Sequence, residues 1–279
     1  MISIDCAGLS EQGPVRDNNE DCIACHSPAD PSVLLRKGAL FVVADGVGGN
    51  RAGEVASREA TQKLIDCYYA STKRPRAALQ SAFQQTNLHI CDLGMSNPAY
   101  RRMETTLSAL VLVGNQLHIG HVGDTRIYQV RETSIQQLTR DHSEVGELVR
   151  MQILTPEEAQ HHPRRHIITR SIGGDLMTQI DFHTEAVQLG DCFVLCTDGL
   201  WESLAPAEIV EATLGVTATE SCRRLVELAL ERATTDNLSV QVINVVELND
   251  NRPDPSQRKN GFLQRTFGLF GNSRLSAAW

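Results

Sequence analysis

The spacing of apolar residues along this chain alternates between the period of strands and the period of helices. Residues 2–9 (ISIDCAGL) and 21–26 (DCIACH) have the texture of short strands, and EQGPVRDNNE between them is a turn-rich loop. Leu40, Phe41, Val42, Val43 and Ala44 then form an unbroken apolar run that stops at Asp45, followed by three glycines with only Val47 among them. Such a run predicts a core strand that delivers one carboxylate to a sharp turn at the sheet edge. Glycines there let backbone carbonyls approach a ligand closely. The plain alternative is a turn aspartate satisfied by its own backbone. Ala52, Val55, Ala56, Ala60, Leu64 and Tyr68 recur at helical spacing, and Leu79, Phe83, Ile90 and Leu93 repeat it after a break at Lys73-Arg74-Pro75. Two amphipathic helices are expected, lying side by side or against a sheet.

From Thr105 the texture is that of strands. TLSALVLV, QLHIGHVGD, RIYQV and SIQQLT are short, rich in branched residues and closely spaced, which predicts antiparallel meanders rather than crossovers through helices. Residues 141–170 are polar and helical in character, with Thr155 as N-cap, Pro156 in the first helical position and Glu158 three residues after the cap. Strand signals return at 178–187 and 191–197, helical periodicity runs through 204–214 and through Cys222, Leu225, Val226, Ala229 and Ala233, and LSVQVINVVEL closes the series. Strands and helices fall into separate blocks. The expected architecture is therefore α+β, a β-sandwich of two antiparallel sheets with pairs of antiparallel helices outside. Residues 1–248 are expected to form this domain, 249–261 a polar linker, and 262–279 a tail whose Phe262, Leu263, Phe267, Leu269 and Phe270 could dock on the domain, on a partner or on a membrane surface.

Composition narrows the functional classes. The 279 residues carry a net charge of −8, with 41% hydrophobic and 22% charged residues. The acidic balance argues against a nucleic-acid binder, which needs clustered Lys and Arg, and suits a protein that holds divalent cations. No basic segment is followed by an apolar one near Met1, and no apolar run is long enough to span a bilayer, so a cytoplasmic, monomeric protein without a membrane span is expected. Cys67, Cys91, Cys192, Cys196 and Cys222 lie in apolar-periodic surroundings as reduced thiols. Cys22 and Cys25 form a CxxC on a strand, where alternation points them to opposite faces and argues against a metal or redox role.

Asp45 has counterparts. Asp198 follows FVLCT and precedes Gly199, Asp124 follows HIGHVG, and Asp236, beside Asn237, opens the final strand. Aspartates at strand ends of a sandwich can meet at one rim, and two unit charges about 4 Å apart repel by about 4 kcal/mol at an effective dielectric of 20. Convergence would therefore call for bound cations. Carboxylates and a carbonyl, without Cys or His at the strand-end positions themselves, select Mg²⁺ or Mn²⁺ over zinc. His161, His162 and His166 lie in the polar 141–170 segment, are read as having no carboxylate-bearing neighbours, and are expected to be solvated or packing residues.

The ordered series RDNNED, VVADGVGG, METTLSAL, HVGDTRIY, LTRDHS, ITRSIG, CTDGLW and TTDNLSV resembles the metal-dependent Ser/Thr protein phosphatases of type 2C in their short bacterial form. The resemblance spans roughly residues 3 to 247. It implies two Mn²⁺ or Mg²⁺ ions that share a water and lower its pKa toward about 7 for in-line attack on phosphorus. By the same resemblance Asp45 bridges the metals with the Gly46 carbonyl beside it, Asp198 and Asp236 complete one metal, Glu20 reaches the other, and Asp21 orients metal-bound water. Asp124 is the candidate for a weaker third ion, and Arg16 would fork hydrogen bonds onto the substrate phosphate. Segment 141–170 corresponds to the family's flap. The implied substrates are phosphoserine and phosphothreonine proteins, with a cognate Ser/Thr kinase as partner.

Three positions depart from the family's pattern. Val47 and Asn50 stand where members place a histidine, Glu104 replaces the glycine of a GTT motif, and Ala233 and Thr234 replace glycines before the final DN. The first leaves general-acid assistance to a metal-bound water or another group. Glu104 either adds an acid near the rim or points outward. Two rival readings are a regulatory pseudophosphatase, which loss of Asp45, Asp198 or Asp236 would favour, and a metal-dependent phosphodiesterase or nuclease, which would want a basic groove. All three aspartates are present.

Overall fold

The computed structural model describes residues 2–47, 51–160 and 162–248. The expected linker and aromatic tail, together with Asn50 and His161, lie outside the described residues. In chain order the elements are β1 (Ile2–Glu11), β2 (Asp21–His26), α1 (Pro31–Lys37), β3 (Ala39–Val47), α2 (Arg51–Ala70), α3 (Pro75–Ser96), β4 (Glu104–Thr105), β5 (Leu107–Val113), β6 (Gln116–Val122), β7 (Arg126–Arg131) and β8 (Ser134–Gln137). There follow α4 (Glu144–Arg150), α5 (Pro156–Gln160), β9 (Asp181–Ala186), β10 (Cys192–Cys196), the single turn α6 (Asp198–Trp201), α7 (Pro206–Thr213), α8 (Ala218–Glu231) and β11 (Leu238–Leu248).

Among the described residues the strands form two antiparallel sheets. One has the order β1-β11-β10-β7-β8 and the other β2-β3-β5-β6-β9, with β4 paired to β3. Three apolar layers hold the stack together. Phe41, Val43, Leu110, Leu112, Phe193, Leu195 and Ile243 fill the space between the sheets. Leu40, Val42 and Ala44 point the other way, against Leu64, Tyr68, Phe83 and Ile90 of α2 and α3. On the opposite outer face Val194 and Val240 meet Ile209 of α7 and Leu225 and Ala229 of α8. The expected sandwich with helix pairs outside is thus present. Because β3 is covered on both faces, its sequence is apolar without alternation.

Two local features were not legible in the periodicity. Helix α1 has only seven residues, too short to display a repeat, and is set by its ends: Asp30 accepts from the Ser32 N–H at 2.8 Å, and the chain leaves at Gly38 with φ of 73°. After α8, Ala233 takes the left-handed conformation (φ 56°) that a glycine would adopt without strain. Its N–H donates to Leu230 O at 3.0 Å and the Thr234 N–H to Ala229 O at 3.3 Å, the two bonds of a Schellman ending. The turn before the final strand is therefore built without glycine, at the cost of a strained alanine.

Candidate metal centre

β2 and β3 pair so that Asp21 stands directly opposite Asp45. Opposed residues of an antiparallel pair project to the same face, so the pairing itself brings two carboxylates together. The Asp45 backbone is locked by the two threonines of METTLSAL: its N–H donates to Thr106 Oγ1 at 2.9 Å, and its carbonyl accepts from the Thr106 N–H and the Thr105 hydroxyl, both at 2.8 Å. The next residue, Gly46, has no room for a side chain, since a Cβ would lie 2.2 Å from the Gly53 carbonyl oxygen at the start of α2. A Cβ on Gly53 would in turn lie 2.8 Å from Glu20 Oε1 and 3.0 Å from Gly46 O. Two glycines thus let the Glu20 carboxylate and the Gly46 carbonyl face the same small space.

The other sheet supplies the remaining acids. Asp198 begins α6 directly after β10, and Asp236 precedes β11, which pairs with β10. Close approach of the two segments depends on Gly199, where a Cβ would lie 2.1 Å from the Asn237 carbonyl oxygen. The two sheets are tied at this end by side chains. The Thr197 hydroxyl donates to Asp21 Oδ2 at 2.8 Å and accepts from the Ser239 N–H at 3.0 Å. Asn237, buried, accepts from the Glu20 N–H at 2.9 Å and donates to the carbonyls of Gln12 and Asn18 at 2.7 and 2.9 Å. It clamps the loop that carries Arg16 and Glu20 to the last strand. Arg16 reaches back from that loop, its Nη2 donating to Asp236 Oδ2 at 2.6 Å.

Electrostatically the site is short of positive charge. Burial, reinforced by neighbouring aspartates, raises the carboxyls of Asp45 and Asp198 well above the usual carboxylate range, and burial pushes Asp21 and Asp124 up to about 7. Asp124 is the strongest repelling charge on Asp198, and Asp141 the strongest on Asp124. Asp21 Oδ1 is buried without a hydrogen-bond partner. A set of oxygen donors that repel one another, with an orphaned carboxylate oxygen and a carbonyl kept clear of side chains, fits hard divalent cations. All the sequence-predicted site residues, Arg16, Glu20, Asp21, Asp45, Gly46, Asp124, Asp198 and Asp236, come to this one end of the sandwich.

Segment 141–170 begins and ends beside the site. Its two ends are zipped by the Ser143–Ile168 bridge and by the Thr169 N–H donating to His142 O at 2.7 Å. Asp141 anchors it to β7 through a forked ion pair with Arg126, at 2.6 Å from Nη2 and 3.1 Å from Nε. The Arg126 guanidinium stacks on Trp201, 3.5 Å from the ring centroid, and Trp201 Nε1 donates to Asp124 O at 3.1 Å. The capping box expected at Thr155 is present, with Thr155 N–H to Glu158 Oε2 at 2.8 Å, but the helix it opens runs only five residues.

Several readings change. His166 does have carboxylate neighbours: its Nδ1 lies 3.4 Å from Glu202 Oε1, and ligand atoms of His166, Asp198 and Glu202 all fall within 4.8 Å of one another. The fold brings α6 under the segment that carries His166, a contact that no local motif encodes. Glu104 neither joins the carboxylate cluster nor points into solvent; its Oε2 accepts from the Ser171 hydroxyl at 2.6 Å. Sequence reasoning missed Asn237 as the clamp and Thr197, Thr105 and Thr106 as positioning residues, although each sits inside a motif already singled out.

A sandwich whose strand ends gather acids from both sheets around space for divalent cations defines a metal-dependent hydrolase site. The chain belongs to the protein phosphatase 2C family, whose sequence model, described as Protein phosphatase 2C, matches residues 18–238. It is 35% identical over 245 residues to protein phosphatase PhpP of Streptococcus pneumoniae, covering 86% of this chain and 96% of that one. It is 34% identical over 253 residues to serine/threonine protein phosphatase PstP of Mycobacterium tuberculosis, covering 89% of this chain and 46% of that longer one. Among solved structures, the M. tuberculosis phosphatase PstP superposes with a TM-score of 0.79 at 33% identity, over 88% of this chain and all of that one. The PstP catalytic domain solved in complex with two manganese ions gives 0.77 at 33% identity, again over 88% of this chain and 100% of that one.

Proposed function

We propose that this chain is a metal-dependent protein phosphatase that hydrolyses phosphoserine and phosphothreonine on proteins, with two Mn²⁺ or Mg²⁺ ions per chain. The observation that carries the reading is the convergence of Asp21, Asp45, Asp198 and Asp236 from both sheets onto one rim, with Arg16 reaching over it. Asp45 and the Gly46 carbonyl would stand between the ions, Asp198 and Asp236 would complete one of them, Glu20 would reach the other, and Asp124 would serve a weaker third. When bound, the ions supply the Lewis-acid charge that lets water attack phosphorus at neutral pH.

The chain's own side chains do the rest. Arg16, half-exposed and donating to Asp236, can turn its guanidinium onto a phosphate oxygen once cations relieve the charge on Asp236. Thr197 holds Asp21, and Asn237 holds the loop, so neither carboxylate nor arginine must be ordered during the reaction. The flap, 141–170, lies beside the entrance and bears exposed Met151, Ile153 and Ile167, which suits it to select the peptide around the phosphorylated residue. The substrates are the products of a cognate bacterial Ser/Thr kinase, met by a monomeric enzyme in the cytoplasm; among the described residues no helix is long and apolar enough to cross a membrane.

Hydrolysis of a phosphothreonine peptide with Mn²⁺, repeated after chelation, tests the reading. Release of phosphate only with metal supports it, and absence of turnover with saturating Mn²⁺ by folded protein overturns it.

A further inference from the structure

β1 and β2 are the edge strands of the two different sheets, and they run in contact along the same open side of the sandwich. Along β1, Ile2 and Ile4 pack into the layer between the sheets, while Ala7 packs on the outer layer. Two residues beyond Ile4, Cys6 therefore faces the inter-sheet side. Along β2, Ile23 packs into that same layer, which places Cys25 there too, opposite Phe41. The approach is close at this edge: a Cβ on Gly8 would lie 2.9 Å from Ile23 Cδ1. The thiols of Cys6 and Cys25 interact side chain to side chain, both are exposed, and both are reduced. Cys22, on the opposite face of β2, instead meets Thr61 of α2. The sequence pairing of Cys22 with Cys25 is thus replaced by a pairing that only the fold creates.

We propose that Cys6 and Cys25 form a reversible disulfide that joins the two sheets and closes a covalent ring around the loop bearing Arg16 and Glu20. The oxidant is hydrogen peroxide. One thiol sulfur attacks the peroxide oxygen, the O–O bond breaks, and a sulfenic acid and water result. The second thiol then attacks that sulfur, the S–S bond forms, and the hydroxyl leaves as a second water with the remaining thiol proton. The ring spans residues 6–25 and encloses Asp21 as well, so oxidation would add a covalent tie to the loop that Asn237 already clamps.

The test is hydrogen peroxide treatment of the full-length chain, quenching by alkylation in denaturant and peptide mass mapping. Two fewer alkylated cysteines than the eight of the reduced chain, a Cys6–Cys25 linked peptide, and recovery with dithiothreitol are expected. Cys6→Ser and Cys25→Ser should each abolish the linkage, and Cys22→Ser should not. Cys6→Ala serves as a second variant if the serine form folds poorly, with circular dichroism as the check. An unchanged count of eight thiols, a link through Cys22 or between chains, or sulfinic acid on Cys6 without linkage would overturn the proposal.

Discussion

Replacing Asn237 by alanine is expected to lower stability by about 2–3 kcal/mol and to weaken catalysis without touching a metal ligand. The size follows from what each of its three bonds leaves behind. The carbonyls of Gln12 and Asn18 belong to exposed residues and can turn to water, so their loss costs a few tenths of a kcal/mol each. The Glu20 N–H is different. It belongs to a buried residue, so loss of its acceptor brings the desolvation penalty of a buried donor, about 1–3 kcal/mol. The buried donor therefore dominates. Asn237→Asp separates the terms, because the carboxylate still accepts from Glu20 but loses both donor bonds and adds negative charge to a site already rich in it. Urea unfolding of both variants with chelator present gives the stability change, and phosphopeptide kinetics with Mn²⁺ give KM and kcat. A loosened Arg16 loop should raise KM more than it lowers kcat. An alanine variant within 0.5 kcal/mol of wild type, or one with unchanged KM, would refute the clamp, the threshold being about the scatter of ordinary surface substitutions.

Asp45→Asn should abolish tight Mn²⁺ binding in calorimetry while leaving the metal-free protein at least as stable as wild type, because a repelling carboxylate is removed. Retained Mn²⁺ affinity would contradict a shared ligand role. Acidification gives a further check: the carboxyls of Asp21 and Asp124 sit at about 7 in the fold and near 4 unfolded, so between these values the native state holds more protons. Their contribution to stability is full below about 4 and lost as pH rises through about 7. Metal-free protein should therefore melt at a higher temperature at pH 6 than at pH 8, a trend that saturating Mn²⁺ suppresses. Ala233→Gly should stabilise the fold by about 0.5–1 kcal/mol by relieving the left-handed alanine, measured by the urea midpoint, and a loss of stability would count against strain at that turn.

Much of this molecule was legible because its signals are local. The unbroken apolar run of β3 announced a core strand, and the helix pairs followed from periodicity and the break at Pro75. The strand-end aspartates were visible as DG, GD and DN dipeptides. Other features depend on pairings between distant parts of the chain. Nothing near Ile2 or Leu248 says that β1 pairs with β11, and that pairing puts β1 beside β2 and Cys6 beside Cys25. His166 met Glu202 for the same reason: α6 is placed by β10, far from the flap in sequence. Helix α1 escaped because seven residues complete barely two turns, too few for a repeat to stand out. Glu104 was ambiguous because its partner, Ser171, is supplied by a loop 67 residues away.

The contacts that assemble the rim also set when it can exist. Arg16 meets Asp236 across 220 residues of sequence, and Glu20 meets Asn237 across 217. During synthesis the N-terminal loop emerges first and must wait for nearly the whole domain before its clamp arrives, so the metal centre is among the last features to be completed. A ribosome-bound chain halted before β11 would carry Glu20, Asp45 and Asp198 yet lack the Asn237 clamp on the arginine loop. Phosphatase activity is thereby tied to completion of the domain, and a nascent chain cannot strip phosphate from its neighbours before it has finished folding.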